Sequence, residues 1–317
     1  MHNKDKTPKM NKLLIFGVIL LLSSTLFGQI SLKDSTVQVI GYWEKQETQS
    51  YNISYEKFKI KRKDTISREL MKYEVDIKII DSTENSYTIE WFYKNYTIDT
   101  ENELVKKLTS IANDISVKIK TDEFGAFIEI VNWEEVRDYL TKVTETLKEE
   151  LKDVPNSEKI IANVMNVYST KESIEANAIK DAIQFYQFNG VKYKLGEKLE
   201  GKLETTNNYG GKPFETDVRF SLDEINEEDD YSTFRMKQII NSEQLTDATY
   251  NYLDKLGTFG DKIPPRNEFP SLTNETNTTS IIHGESGWIL YSIETKEIAS
   301  EETTNIEERI IELNNCV

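Results

Sequence analysis

Cysteine and histidine are almost absent from this 317-residue chain: Cys316 is the only cysteine, and His2 and His283 are the only histidines. A single cysteine one residue from the C-terminus forms no intrachain disulfide, and a catalytic thiol needs a positioned base, so Cys316 reads as a tail thiol. His2 lies in a segment read below as removed. One remaining imidazole excludes histidine-rich metal sites, and no Gly-x-Ser-x-Gly elbow supplies a nucleophile for it, so His283 reads as a strand-end residue. Basic residues are also short, at 39 Lys and Arg against 55 Asp and Glu. That field repels phosphate backbones, and no basic patch with interleaved aromatics opposes it, so nucleic acid is excluded as a partner. No cofactor or metal is expected. The acidic run Asp223 to Asp230 lacks the alternating Asp and Gly spacing of a calcium loop, and Gly210-Gly211 runs into Lys212-Pro213, which breaks the helix start a phosphate loop requires.

Long apolar runs are missing except at the start. Lys4, Lys6, Lys9 and Lys12 precede an uncharged run from Leu13 to Leu22, and Ser23 to Gly28 supplies small residues, the pattern of a signal peptide over residues 1 to 28. No cysteine follows for lipid attachment. The expected product is exported, periplasmic or secreted, with no stable membrane span once the signal is gone. It carries 35 basic and 54 acidic residues, a formal charge of −19. What remains is long enough for a sizeable core without staples, and its 16 Tyr and 13 Phe are not the composition of disorder.

What is present is chiefly β pattern around one helical stretch. Val75, Ile77 and Ile79, then Tyr87, Ile89, Trp91 and Tyr93, alternate with polar residues across the Asp81 to Asn85 turn, predicting a half-buried antiparallel hairpin. Tyr51, Ile53 and Tyr55 followed by Phe58 and Ile60 read as a strand that shifts face at a bulge. A short helix is expected over 101–113. A second hairpin turns at Gly125 and feeds a helix from Asn132, whose apolar stripe is Trp133, Val136, Leu140, Val143, Leu147 and Leu151, with Asn132 and Glu135 as a capping box. Pro155 ends it. Another helix follows, and Ser169 with Glu172 caps a third. Beyond Phe185 the β pattern returns, with strands over 199–206, 216–222 and 231–240, a Ser242-capped helix, an extended connection over 257–280, and strands over 280–283, 288–295 and 303–313. The fold class is therefore α+β: a curved, half-barrel-like antiparallel sheet in one domain over 29–317, with a helical insertion at 132–186. The hairpins of 75–93 and 115–131 match 218–240 and 280–295 in order, which reads either as a two-lobe duplication of residues 37–131 and 187–313 or as a chance likeness between hairpins.

The strands with Asp-containing turns, the Trp133 helix, the Tyr193-Lys-Leu-Gly-Glu197 step and the Gly287-Trp-Ile-Leu290 strand resemble exported proteins of the Bacteroidota type, whose sheets are similar to the LolA and LppX half-barrels. The resemblance implies a lipid or acyl chain held between sheet and helices, and maps no binding residue one to one. The expected function is a non-catalytic binding protein for an apolar or lipid-like ligand. Its lining would be Tyr87, Ile89, Trp91, Tyr93, Trp133, Val136, Leu140 and Trp288. The same rings fill an ordinary core equally well, since buried aromatics ordinarily just pack. The alternatives are a protein-interaction module with a filled core and an acidic surface, and, third, a hydrolase built on paired carboxylates.

Overall fold

A computed structural model describes residues 30–100, 106, 113–150, 161–162, 165, 168–177, 179–256 and 263–314. The expected signal segment, the 101–113 helix, most of the helix after Pro155 and Cys316 lie outside the described residues. Fourteen strands and four helices are described within these bounds. The strands are β1 (Ile30–Ser31), β2 (Thr36–Gln38), β3 (Thr48–Lys61), β4 (Asp64–Thr83), β5 (Ser86–Asp99), β6 (Ile115–Asp122), β7 (Phe127–Ile130), β8 (Lys192–Lys194), β9 (Lys198–Thr205), β10 (Phe214–Asn226), β11 (Tyr231–Ile240), β12 (Thr273–His283), β13 (Ile289–Ala299) and β14 (Thr303–Leu313). The helices are α1 (Trp133–Glu150), α2 (Lys171–Asn177), α3 (Lys180–Tyr186) and α4 (Ser242–Leu256).

Eleven strands form one open antiparallel sheet, ordered β7-β6-β5-β4-β3-β14-β13-β12-β11-β10-β9, and β1, β2 and β8 form a small separate sheet. The chain enters the large sheet at its centre with β3 and steps outward to β7. It then crosses to the far edge and steps inward from β9 until β14 closes on β3, along the whole of Lys61↔Thr303 to Tyr51↔Leu313. Eleven strands at about 4.8 Å spacing are roughly 48 Å wide, so the segment between β7 and β9 has to traverse the sheet. The face it crosses, called inner here, is covered by α3 and by residues 36–43 and 188–195. Both halves step in the same direction across the sheet, and both belong to one continuous ladder.

Local chemistry explains most elements and corrects several expectations. Strict alternation makes β4 and β5 legible: Val75, Ile77, Ile79, Ile89 and Trp91 are fully buried, while their neighbours stay half-exposed. In β3 the ladder slip falls on β4 instead, where Ile66 is the extra residue between Thr65 and Ser67. Strand β3 therefore runs unbroken, and Phe58 and Ile60 lie on the opposite face from Tyr51, Ile53 and Tyr55. Asn132 does not spend its side chain capping α1. Its Oδ1 accepts from the Lys118 N–H at 2.7 Å and its Nδ2 donates to the Ser116 carbonyl, so it completes the edge of β6, with only a 3.3 Å contact to Glu135. The cap of α2 is Thr170 Oγ1, accepting from Ser173, and that of α4 is Asn241, accepting from Gln244; Ser242 instead donates to the Leu272 carbonyl. The Asn/Thr-rich residues 274–279 are strand, because β-branched threonines suit a pleated surface. Half of the acidic run is strand as well, since β10 continues to Asn226 through a bulge at Asp223 and only four residues remain for the turn.

Candidate functional site on the inner face of the sheet

The inner face divides into two regions. Around β3 to β6 it is aromatic and closed. Trp91 is fully buried, with Phe185 edge-on at 5.3 Å and Tyr186 at 5.9 Å, and its indole N–H donates to the Tyr186 hydroxyl at 2.9 Å. Trp43 continues the layer against Trp288 (5.0 Å), Tyr87 (5.3 Å) and Tyr186 (6.1 Å). Of the residues expected to line a groove, Ile89, Trp91, Tyr93, Val136, Leu140 and Trp288 are buried in this core. Tyr87 is half-buried, with its hydroxyl donating to the Gly41 carbonyl. Trp133 is half-buried too, its ring under the Arg137 guanidinium at 5.0 Å. The structure brings Ile89, Trp91, Tyr93 and Trp288 together, but Phe185 and Tyr186 occupy the space in front of Trp91. Helix α1 covers a different place, lying against β6 and α2 at the sheet margin.

Behind the aromatic layer, Asp181 at the start of α3 is fully buried and accepts from the Tyr73 hydroxyl at 3.0 Å, the Tyr93 hydroxyl at 3.1 Å and the Ala182 N–H at 2.9 Å. Burial raises its carboxyl above the ordinary aspartate value, and Arg309 and these three donors only partly oppose that. The same burial raises the phenols of Tyr73 and Tyr93, with the Asp181 charge adding to it. Tyr96 is brought face to face with Tyr73 at 4.5 Å by a bulge at Asn95, whose φ is +57°.

Toward the other end of β3, and across β14 to β11, the inner face turns polar and opens. The register aligns Tyr55 on β3 with Arg309 on β14, Arg309 with Glu294 on β13, and Glu294 with Thr278 on β12. One row further, Lys57, Glu307, Lys296, Thr276 and Gln238 follow each other across β3, β14, β13, β12 and β11. A cleft of about 140 Å³ lies over these rows, lined by Tyr55, Lys180, Gln238, Thr276, Glu294, Lys296, Glu307 and Arg309. Its floor is fixed. Arg309 is buried, donates to Glu294 at 3.1 Å and Gln184 at 3.4 Å, and lies over the Tyr55 ring at 5.3 Å. Gln184 in turn donates to Ser292, which is bonded to Ser280. Tyr55 hydrogen-bonds to Glu307; burial and that carboxylate push the phenol well up, while the Tyr55 bond and Lys180, Lys57 and Lys296 hold the Glu307 carboxyl below its ordinary value against the effect of its own burial.

The rim is different. Among the described residues, Lys180 and Lys296 have no carboxylate within ion-pair distance. Lys180 projects from α3 at the mouth of the cleft. The protein packed around it lowers its ammonium pKa, with Lys296, Arg309 and Lys57 adding to the effect and Glu307 opposing it. Two ammonium groups with no carboxylate at ion-pair distance thus stand over a floor in which Arg309 is paired with Glu294, and Glu307 feels both of them at longer range. No line of sequence reasoning singled this cleft out. Its one legible trace is that β14 carries Glu307 and Arg309 on the inner face, where β4 carries Met71, Tyr73, Val75, Ile77 and Ile79 over most of its length.

His283 donates to or accepts from Ser286 through Nδ1 at 2.8 Å and stands 3.6 Å from Asp230 through Nε2. The second distance is too long for a hydrogen bond. Nδ1 also receives the Ser286 N–H, Ser286 Oγ receives the Trp288 N–H, and Asp230 receives the Glu285 N–H, so the trio laces the turn between β12 and β13.

No family model matches the chain, and no curated protein matches it. Among solved structures, it is similar to lipovitellin, described for its lipid-protein interactions, at 12% identity and a TM-score of 0.37, covering 86% of this chain and 26% of that one. It is also similar to an outer membrane channel from Pseudomonas putida F1, at 6% identity and a TM-score of 0.19, covering 86% of this chain and 97% of that one. The chain spans about a quarter of the lipovitellin chain. Among the described residues no helix is long and apolar enough to cross a membrane.

Proposed function

We propose that this is an exported, non-catalytic binding protein that takes an anionic group of its ligand into the cleft between Lys180 and Lys296. The observation that carries this reading is the contrast between Arg309, matched on the floor by Glu294 and Gln184, and two rim lysines that, among the described residues, have no carboxylate within ion-pair distance. At about 140 Å³ the cleft is below the several hundred Å³ of a site that swallows a drug-sized molecule. It receives a head group, and the rest of the ligand lies outside it. An amphiphile with an acidic head, the lipid-like ligand expected from the sequence, and a small free anion share that chemistry. Calorimetric titration with decanoate and with inorganic phosphate separates them, using the wild-type protein and a K180M/K296M variant. Binding of either probe that weakens about tenfold or more in the variant, at unchanged melting temperature, supports the reading, and the probe that binds names the source. Failure of both probes, or equal binding by the variant, ends it.

The filled aromatic half of the face favours a second reading, a protein-interaction module that works through its surface and carries no small ligand.

A further inference from the structure

The two edges of the large sheet are treated differently. At one, β7 has four residues, and its Ile130 N–H is taken by the Glu175 side chain from α2. At the other, β9 is eight residues long and exposed from Lys198 to Glu204, and among the described residues no strand pairs with its outer side. Leu199 and Leu203 are 42% and 37% exposed there. A straight open edge of this length is a template for another strand, and natural edges are usually covered or broken.

The sequence of β9 specifies which strand. Lys198-Leu-Glu-Gly-Lys-Leu-Glu204 is complementary to itself when reversed about Gly201. In an antiparallel pair of two copies centred on Gly201, Lys198 faces the partner's Glu204, Leu199 faces the partner's Leu203, and Glu200 faces the partner's Lys202, each contact occurring twice by symmetry. All four charged residues of the motif lie on the outer face and both leucines on the inner face, so no pair requires a side chain to cross the sheet. Within one chain, Glu200 already meets Arg219 at 2.7 Å and Lys202 lies 3.7 Å from Asp217. Lys198 stands beside Ser221, with no acid opposite, and Glu204 beside Glu215, a like charge. The cross-strand neighbours that these two lack are the ones a second copy supplies.

We infer that the protein forms a two-fold homodimer through β9, joining two eleven-stranded sheets edge to edge in the register Gly201↔Gly201. Sedimentation velocity over a wide concentration range tests this, with circular dichroism to confirm folding. The wild-type protein is expected to reach twice the monomer mass. K198E sets glutamate against glutamate twice and weakens association about tenfold or more, since directly opposed like charges destabilise a strand pair. K198E/E204K restores every opposite-charge pair and relieves the like charge beside Glu215, so it recovers the wild-type dimer. A wild-type protein that stays monomeric, a K198E protein that dimerises as well as wild type, or a double variant that fails to recover overturns the inference.

Discussion

The aromatic and polar halves of the inner face meet on β3 and differ in what lies over them. On β3, Tyr51 and Ile53 are buried beneath Phe185, while Tyr55, two positions on, borders the cleft. The difference follows from how far α3 reaches: seven residues of helix extend about 10 Å. It covers the rows of Trp91, Tyr51 and Ser292 and leaves those of Glu307 and Lys296 open. Where the helix lies, the residues meet as a close-packed core. Where it ends, charges meet in rows and water enters. Burial therefore fixes shape in one half, and the proposed ligand cleft lies in the other, where Lys180 and Lys296 have no carboxylate at ion-pair distance among the described residues.

That contrast breaks most visibly at Trp91. If the closed half is packed, Trp91→Ala leaves a cavity that Phe185 and Tyr186 fill only in part, and stability to urea falls by about 3–5 kcal/mol. A loss under about 1 kcal/mol would mean that there is empty space in front of the indole after all. The next largest effect belongs to the boundary between the halves. Arg309→Met strands Glu294 and Gln184 in a poorly hydrated place and costs about 3 kcal/mol. R309M/E294M removes both charges and is expected to recover most of that, whereas a surface pair would show almost no effect in either variant. At the open rim, K180M/K296M is expected to change unfolding stability by less than about 0.5 kcal/mol, because neither lysine has a carboxylate within ion-pair distance among the described residues and both are partly solvated.

The sequence made the closed half legible and the open half not. Alternation of Val, Ile, Tyr and Trp with Lys, Glu and Asp requires one face of β4, β5 and β6 to be buried, and it also gives the register of their hairpins. It could not say what buries that face. Phe185 and Tyr186, at the junction where helix gives way to strand, supply the cover, and a seven-residue helix is too short to show a stripe. That is why the Trp91 row reads from sequence as a groove or a core, with only the packing habit of aromatics favouring the core. The cleft leaves still less trace, because Tyr55, Lys180, Glu294 and Arg309 are brought together only by the β3–β14 pairing, a contact across some 250 residues of chain. Polar residues on both faces of β13 and β14 also erase the alternation that would have marked an inner face. The β9 edge is the opposite case: its complementarity is written in seven consecutive residues, but only the sheet order reveals that the strand is an edge.

The smallest effect, and the one that most sharpens the boundary, is the pH dependence of Asp181. Its carboxyl is raised by burial, so the folded chain binds that proton more tightly than the unfolded chain does. The stability linked to it is complete below the ordinary aspartate value near 4 and is lost as pH rises through the folded value. Asp181→Asn removes this titration. The stability of wild type minus that of D181N should therefore decline as pH rises from about 4 and level off above the folded value. Thermal melts of both proteins in matched buffers would show it. Glu307, held low in the open cleft, has the opposite sign: wild type minus E307Q should lose stability as pH falls below about 4.5, the ordinary glutamate range. A carboxylate at the start of α3 and one on the β14 row of the cleft with opposed pH slopes would place the line between core and cleft between them. Parallel slopes would mean that water reaches both, and that α3 does not seal what it covers.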